Sequence, residues 1–182
     1  MPQDALLTLA DIACLSFIAF LFAQAVTHKL TDFNRFSGYV ADYGLLPESL
    51  VKPASVMLIA AESATICLLV FPASKALGAT LACFLLLTYS VGIGVNLMRG
   101  RTQIECGCGG ARQFLSGGLL FRNAALVLIA GVPAVSRGLP PFPQTLELLA
   151  GIAAGLSLWI AYNLIDLLLA AAGHIRVTAR KV

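Results

Sequence analysis

Long apolar runs alternate with short polar connections along the chain, at a spacing that matches the thickness of a bilayer. Five runs, near residues 5–27, 53–72, 76–98, 118–136 and 145–170, are long enough, or nearly so, to cross about 30 Å of hydrocarbon as helices, which takes roughly 20 residues at 1.5 Å each. The fourth is the weakest, because it is short, opens near Arg122 and Asn123, and contains Gly131 and Pro133. The first does not read as a cleaved secretory signal: no Lys or Arg precedes it, Asp11 and Gln24 interrupt it, and it is too long for the apolar core of a leader. It is expected to remain in the mature chain. The pattern predicts an all-α fold, a polytopic integral membrane helical bundle of about five transmembrane helices forming a single domain over 1–182, with no internal repeat.

The longest polar connection, residues 28–53, is itself patterned. Phe36, Tyr39, Val40 and Tyr43 recur at helical spacing and make one apolar stripe, which predicts a short amphipathic helix lying in the interface. Gly44 and Pro47 are expected to end it before the second span begins at Pro53. A linker is one reading of this segment and a docking surface for a partner is the other. Before the last span, Thr145 is a candidate N-cap and Glu147 sits near the helix's positive end.

Composition agrees with lipid as the solvent. The chain is 59% hydrophobic and 12% charged, against roughly a quarter charged in an ordinary soluble domain, and its mean hydropathy is +0.89. A net charge of +3, spread over membrane ends rather than gathered in a stripe, argues against nucleic-acid binding. The spread carries topology instead. With the N-terminus outside the cytoplasm, Lys29, Arg35, Lys52, Arg99, Arg101, Arg112, Arg122, Arg176, Arg180 and Lys181 lie at the cytoplasmic ends, and only Lys75 and Arg137 lie outside. This positive-inside bias predicts a cytoplasmic C-terminus, and a cytoplasmic connection between the third and fourth spans.

That connection carries the candidate chemistry. Cys106 and Cys108 stand in the stretch CGCGG, outside the spans, where neither packing nor helix propensity asks for two thiols among glycines. Glycine permits the backbone angles that bring sulfurs two residues apart together, and leaves room for another disulfide to approach. A bond closed over so short a loop is expected to be strained and therefore readily exchanged. Arg99, Arg101 and Arg112 would favour thiolate, the attacking form, while Glu105 opposes them. Two other readings stay open: a Cys₂His₂ metal site completed by His28 and His174, which lacks any ligand-spacing signature, and a turn without chemistry. Cys14, Cys67 and Cys83 lie in helices and read as small hydrophobes. No cofactor motif is present, and no feature of the sequence demands a quinone.

Polar residues inside the spans need a reason, because hydrocarbon penalises them. Asp11, Asn96, Asn163 and Asp166 read as helix–helix hydrogen-bonding groups. Glu62, near the middle of the second span, is expected to pair with Lys29 or Arg122, or to hold a proton used in thiol–disulfide interconversion.

With these residues in view, the sequence resembles the MauE family of methylamine-utilisation membrane proteins, within the broader MauE/DoxX redox-associated group. The matching pieces are HKL closing the first span, YGLLP before the second, Glu62 within it, the CGCGG turn, and Arg122–Asn123. Gly109 departs from the pattern, which more often has an aromatic residue there. The resemblance implies a bacterial inner-membrane protein needed to mature the disulfide-rich, periplasmic small subunit of methylamine dehydrogenase, with a thioredoxin-like partner, MauD. Residue chemistry and resemblance converge on thiol–disulfide exchange, with Cys106 and Cys108 expected to be catalytic and Glu62, Lys29, Arg101, Arg112, Arg122 and Asn123 expected to support them. The alternatives are a non-enzymatic scaffold recruiting the partner through residues 28–53 and a quinone-linked thiol oxidase. The cytoplasmic placement of the turn conflicts with a periplasmic partner unless Cys14, Cys67 and Cys83 relay reducing equivalents outward or the charge count misleads.

Overall fold

The computed structural model describes residues 2–107, 113–136 and 145–179. Within them the chain forms α1 (Pro2–Thr31), α2 (Phe33–Asp42), α3 (Glu48–Val70), α4 (Lys75–Met98), α5 (Gly117–Val135) and α6 (Thr145–Ala179). All but α2 are long and apolar enough to cross a membrane. The helical bundle expected from the pattern is therefore present, with two boundaries moved. The first span runs on to Thr31. The second starts at Glu48, ahead of Pro53, whose missing N–H is carried inside the helix. Glu48 in the first turn favours that start through the helix dipole.

The amphipathic segment forms as its stripe predicted. Asp32 caps α2 by accepting from the Arg35 N–H at 3.1 Å. Phe36 is buried, and Gly44 turns the chain out of the helix at φ +58°.

Phe17, Ile18 and Phe22 of α1 pack with Leu85 and Leu86 of α4 and Leu126 and Ala130 of α5. Helix α6 runs parallel to α1, as the ends of a five-crossing chain must. A Cβ on Gly151 would lie 2.7 Å from Ile12 Cβ, and one on Gly155 would lie 2.6 Å from Ser16 Cβ. The two glycines, four residues apart, therefore let the backbones touch. Farther along the seam Phe17 meets Tyr162 edge-on at 6.0 Å, the Trp159 indole donates to Gln24 Oε1 at 2.8 Å, and Gln24 donates to Asn163 Oδ1 at 2.7 Å. Leu77, Phe84, Leu128, Leu164 and Leu168 point outward and are exposed, an arrangement that suits lipid contact.

At one end of the bundle Asp11 pairs with Lys75, and Ser136 both donates to Asp11 and accepts from Lys75, each at 2.8 Å. This buried knot ties α1 to the start of α4 and the end of α5. The α1–α3 and α4–α5 connections come together at the opposite end.

Candidate functional site

A small hairpin precedes α5. Glu105 and Phe114 form an isolated antiparallel bridge, the Cys106 N–H donates to the Gln113 carbonyl at 3.0 Å, and the Leu115 N–H donates to the Ile104 carbonyl at 3.1 Å. Cys106 leaves this clamp half-buried, packed near Ile93, Leu115 and Leu119, and its sulfur is disulfide-bonded. Cys108 and Arg112, both expected at the site, lie outside the described residues.

Helix α2 lies against the hairpin. The Tyr43 hydroxyl donates to the Cys106 carbonyl at 3.1 Å. Tyr39 donates to Glu105 Oε2 at 2.7 Å and accepts from Arg35 Nε at 2.6 Å. Gly107 sits at φ +68°, where an added Cβ would come within 2.9 Å of the Tyr39 ring, so conformation and space both require glycine. Partial burial pushes the Tyr43 phenol up to about 12, against the lowering pull of Arg122. Burial, with the bond to Glu105, also raises Tyr39. Both phenols stay neutral donors near neutral pH.

Arginine reaches the sulfur from an unexpected side. Arg99 and Arg101 are exposed and donate to the carbonyls of Gly44 and Tyr43 at 3.4 and 3.3 Å, fastening α4 to the end of α2. Arg122, in the first turns of α5, instead brings Nη2 to 4.0 Å from Cys106 Sγ. Asp166 on α6 holds Arg122 at 3.0 Å and also accepts from the Gln113 amide at 2.9 Å. Asn123 donates to Ser90 Oγ at 3.3 Å and joins α5 to α4.

Deeper in the bundle, Lys29 and Glu62 form a buried ion pair, so of the two cations expected for Glu62 the structure selects Lys29. Tyr89 on α4 donates to the same carboxylate oxygen at 2.6 Å and accepts from Lys29 at 3.3 Å. The ammonium lies 5.0 Å from the ring centroids of both Phe36 and Tyr89, a cation–π setting that lowers the cost of burial. Among the described residues, Glu62 Oε2 and Arg122 Nε are buried without a hydrogen-bond partner. Both residues line one cavity of about 30 Å³, room enough for an ordered water.

A larger cavity of about 290 Å³ lies between α2, α3, α4 and the hairpin, with Lys29, Tyr89 and Cys106 on its walls. The remaining cysteines are free thiols in separate settings: Cys67 is exposed on α3, Cys83 lies 3.7 Å from the Val127 carbonyl, and Cys14 is half-buried in α1. No metal-binding cluster of His, Cys, Asp or Glu occurs among the described residues.

Residues 6–136, from α1 through α5 and including the hairpin, match the family described as methylamine utilisation protein MauE. The chain belongs to the MauE family. Relatives bearing that name include one from Paracoccus versutus, 39% identical over 81% of this chain and 80% of its own. One from Paracoccus denitrificans is 35% identical over 80% of each chain, and one from Methylophilus methylotrophus is 32% identical over 88% of this chain and 86% of its own. No solved structure matches the chain. Membership in the MauE family carries a role in methylamine utilisation.

Sequence reasoning missed several residues that the fold gathers here. Tyr39 and Tyr43 read only as an apolar stripe, although two phenols one turn apart on an amphipathic helix also offer two donors. Asp166 was visible as a polar residue in a span, but its role in holding Arg122 was not. Tyr89 and Gln113 carried no signal.

Proposed function

We propose that this MauE-family protein is a thiol–disulfide exchange component of the bacterial inner membrane. Cys106 and Cys108 interconvert between dithiol and disulfide. One of them exchanges with a cysteine of a thioredoxin-like, MauD-like partner, which serves disulfide formation in the methylamine dehydrogenase small subunit.

The observation that carries this reading is the disulfide-bonded Cys106 held 4.0 Å from the Arg122 guanidinium. Exchange begins when a thiolate attacks one sulfur, forms a mixed disulfide and expels the other sulfur as thiolate. A cation at the expelled sulfur favours that step. Gln113 and Asp166 fix the cation, Tyr43 fixes the Cys106 carbonyl, and Tyr39 holds the neighbouring Glu105 side chain. Lys29, Glu62, Arg101 and Asn123 support the frame from which these groups project. The charge asymmetry supports a periplasmic N-terminus and a cytoplasmic C-terminus, with the turn at the cytoplasmic face.

Trapping tests the reading. A thioredoxin-like partner lacking its resolving cysteine should give a mixed disulfide on a non-reducing gel. Cys106→Ser and Cys108→Ser should each stop small-subunit maturation while the protein still inserts. Normal small-subunit disulfides in both variants would end the proposal.

A further inference from the structure

We propose that the 290 Å³ cavity beside Cys106 binds the ring of a lipid-soluble benzoquinone, which accepts the electrons of the cysteine pair. This rests on the thiol–disulfide reading and adds its electron acceptor. Small-molecule sites occupy roughly 300–1,000 Å³, so this space suits one substituted ring and is too small for a long-tailed lipid. Leu45, Leu46 and Met57 line the cavity and are themselves exposed on the flank of the bundle, where a tail attached to the ring would pass into hydrocarbon.

The hydroxyls of Tyr39, Tyr43 and Thr88 on the walls of this mostly apolar space are hydrogen-bonded to Glu105, Cys106 and Phe84, and two other polar features meet it. One is the bonded sulfur of Cys106. The other is the Lys29–Tyr89 pair, deep in the bundle. An ammonium has three N–H bonds; Glu62 and Tyr89 accept two, which leaves one for an acceptor in the cavity. A buried cation is costly in a membrane and marks function by default. An acyl chain has no use for a donor, whereas a quinone carbonyl does. A redox-active sulfur, a lipid-facing opening and a buried donor together specify a two-electron carrier soluble in the bilayer.

The step balances. Both S–H bonds of the dithiol break and an S–S bond forms, releasing two electrons and two protons. The quinone takes both electrons and one proton on each oxygen, giving the hydroquinone. Lys29 stabilises charge on the nearer oxygen as it develops.

The test uses full-length protein in nanodiscs, reduced with dithiothreitol, desalted and mixed with decylubiquinone. Two thiols per chain should disappear as one equivalent of quinol forms, read by thiol titration and ultraviolet absorbance. Met57→Trp, which fills the opening, should slow this at least tenfold while remaining monodisperse, and Met57→Leu should restore it. An unchanged rate in Met57→Trp would overturn the cavity assignment, as would displacement of decylubiquinone by dodecane at equal concentration. Failure of decylubiquinone to oxidise the thiols, while wild-type protein still captures the thioredoxin-like partner, would sink the quinone proposal alone. Failure of partner capture with quinone oxidation intact would sink the exchange reading instead.

Discussion

Tyr43 donates its phenol hydrogen to the carbonyl oxygen of Cys106 at 3.1 Å. The segment after the first span therefore holds the turn after the third, and a surface helix controls the position of Cys106. Removing one such hydrogen bond costs about 1 kcal/mol. Tyr43→Phe should therefore speed reduction of the Cys106 disulfide by dithiothreitol roughly fivefold. An unchanged rate would separate α2 from the chemistry.

The same phenol gives a pH signature. Its folded value of about 12 lies above the ordinary 10, so the neutral form is the one the fold favours. Its contribution to stability is complete below pH 10 and is lost as pH rises from there through about 12. A tyrosinate absorbance titration, wild type minus Tyr43→Phe, should show its step near the upper value. A step at the ordinary value would mean that the phenol is solvated.

Two buried ion pairs, Asp11–Lys75 at one end of the bundle and Lys29–Glu62 deeper within it, should behave alike in stability and differently in function. Glu62→Leu leaves the Lys29 ammonium buried and unpaired, a loss of about 3–5 kcal/mol. The double change Lys29→Met with Glu62→Leu should regain most of it, read as thermal stability in detergent. Equal losses in the single and double variants would show that the pair is not coupled. Asp11→Asn should also lower thermal stability, because it unpairs Lys75, yet leave capture of the thioredoxin-like partner intact.

The α1–α6 seam makes a steric prediction. Gly155→Leu drives a side chain into the Ser16 Cβ and the Ala13 carbonyl and should leave little folded protein. Gly94→Ala meets nothing within 4 Å and should be neutral or stabilising by about 0.5–1 kcal/mol, since alanine costs less helix entropy. A folded Gly155→Leu protein of unchanged melting temperature would refute the close approach.

Topology can be read chemically. In a background where Cys14, Cys67 and Cys83 are alanine, reduced Cys106 should resist a membrane-impermeant thiol reagent in intact cells and react after permeabilisation. Reaction in intact cells would reverse the orientation and place the turn in the same compartment as the small subunit.

The spans, the amphipathic helix and the sulfur-bearing turn were legible in the sequence because each follows from a local pattern. Hydrocarbon thickness sets the length of an apolar run, a 3.6-residue period sets the stripe through Phe36 and Tyr39, and paired cysteines among glycines have no packing reason to exist. The start of α3 was misplaced because Pro53 resembles a boundary, whereas a helix can carry it inside when Glu48 and Pro47 supply a better beginning. The glycines at 151 and 155 were missed in the sequence, although their four-residue spacing is itself a local signal of close approach.

Partner choice was another matter. Glu62 had two candidate cations, and only the crossing of α1 beside α3 put Lys29 rather than Arg122 against it. That left Arg122 for Asp166 and the Cys106 sulfur. Tyr89 joined the pair because α4 presents that face to α1 and α3. A sequence states which groups are costly to bury in lipid, because solvation depends on each residue alone. Which groups meet depends on distances between helices far apart in the chain, and those distances are set by packing.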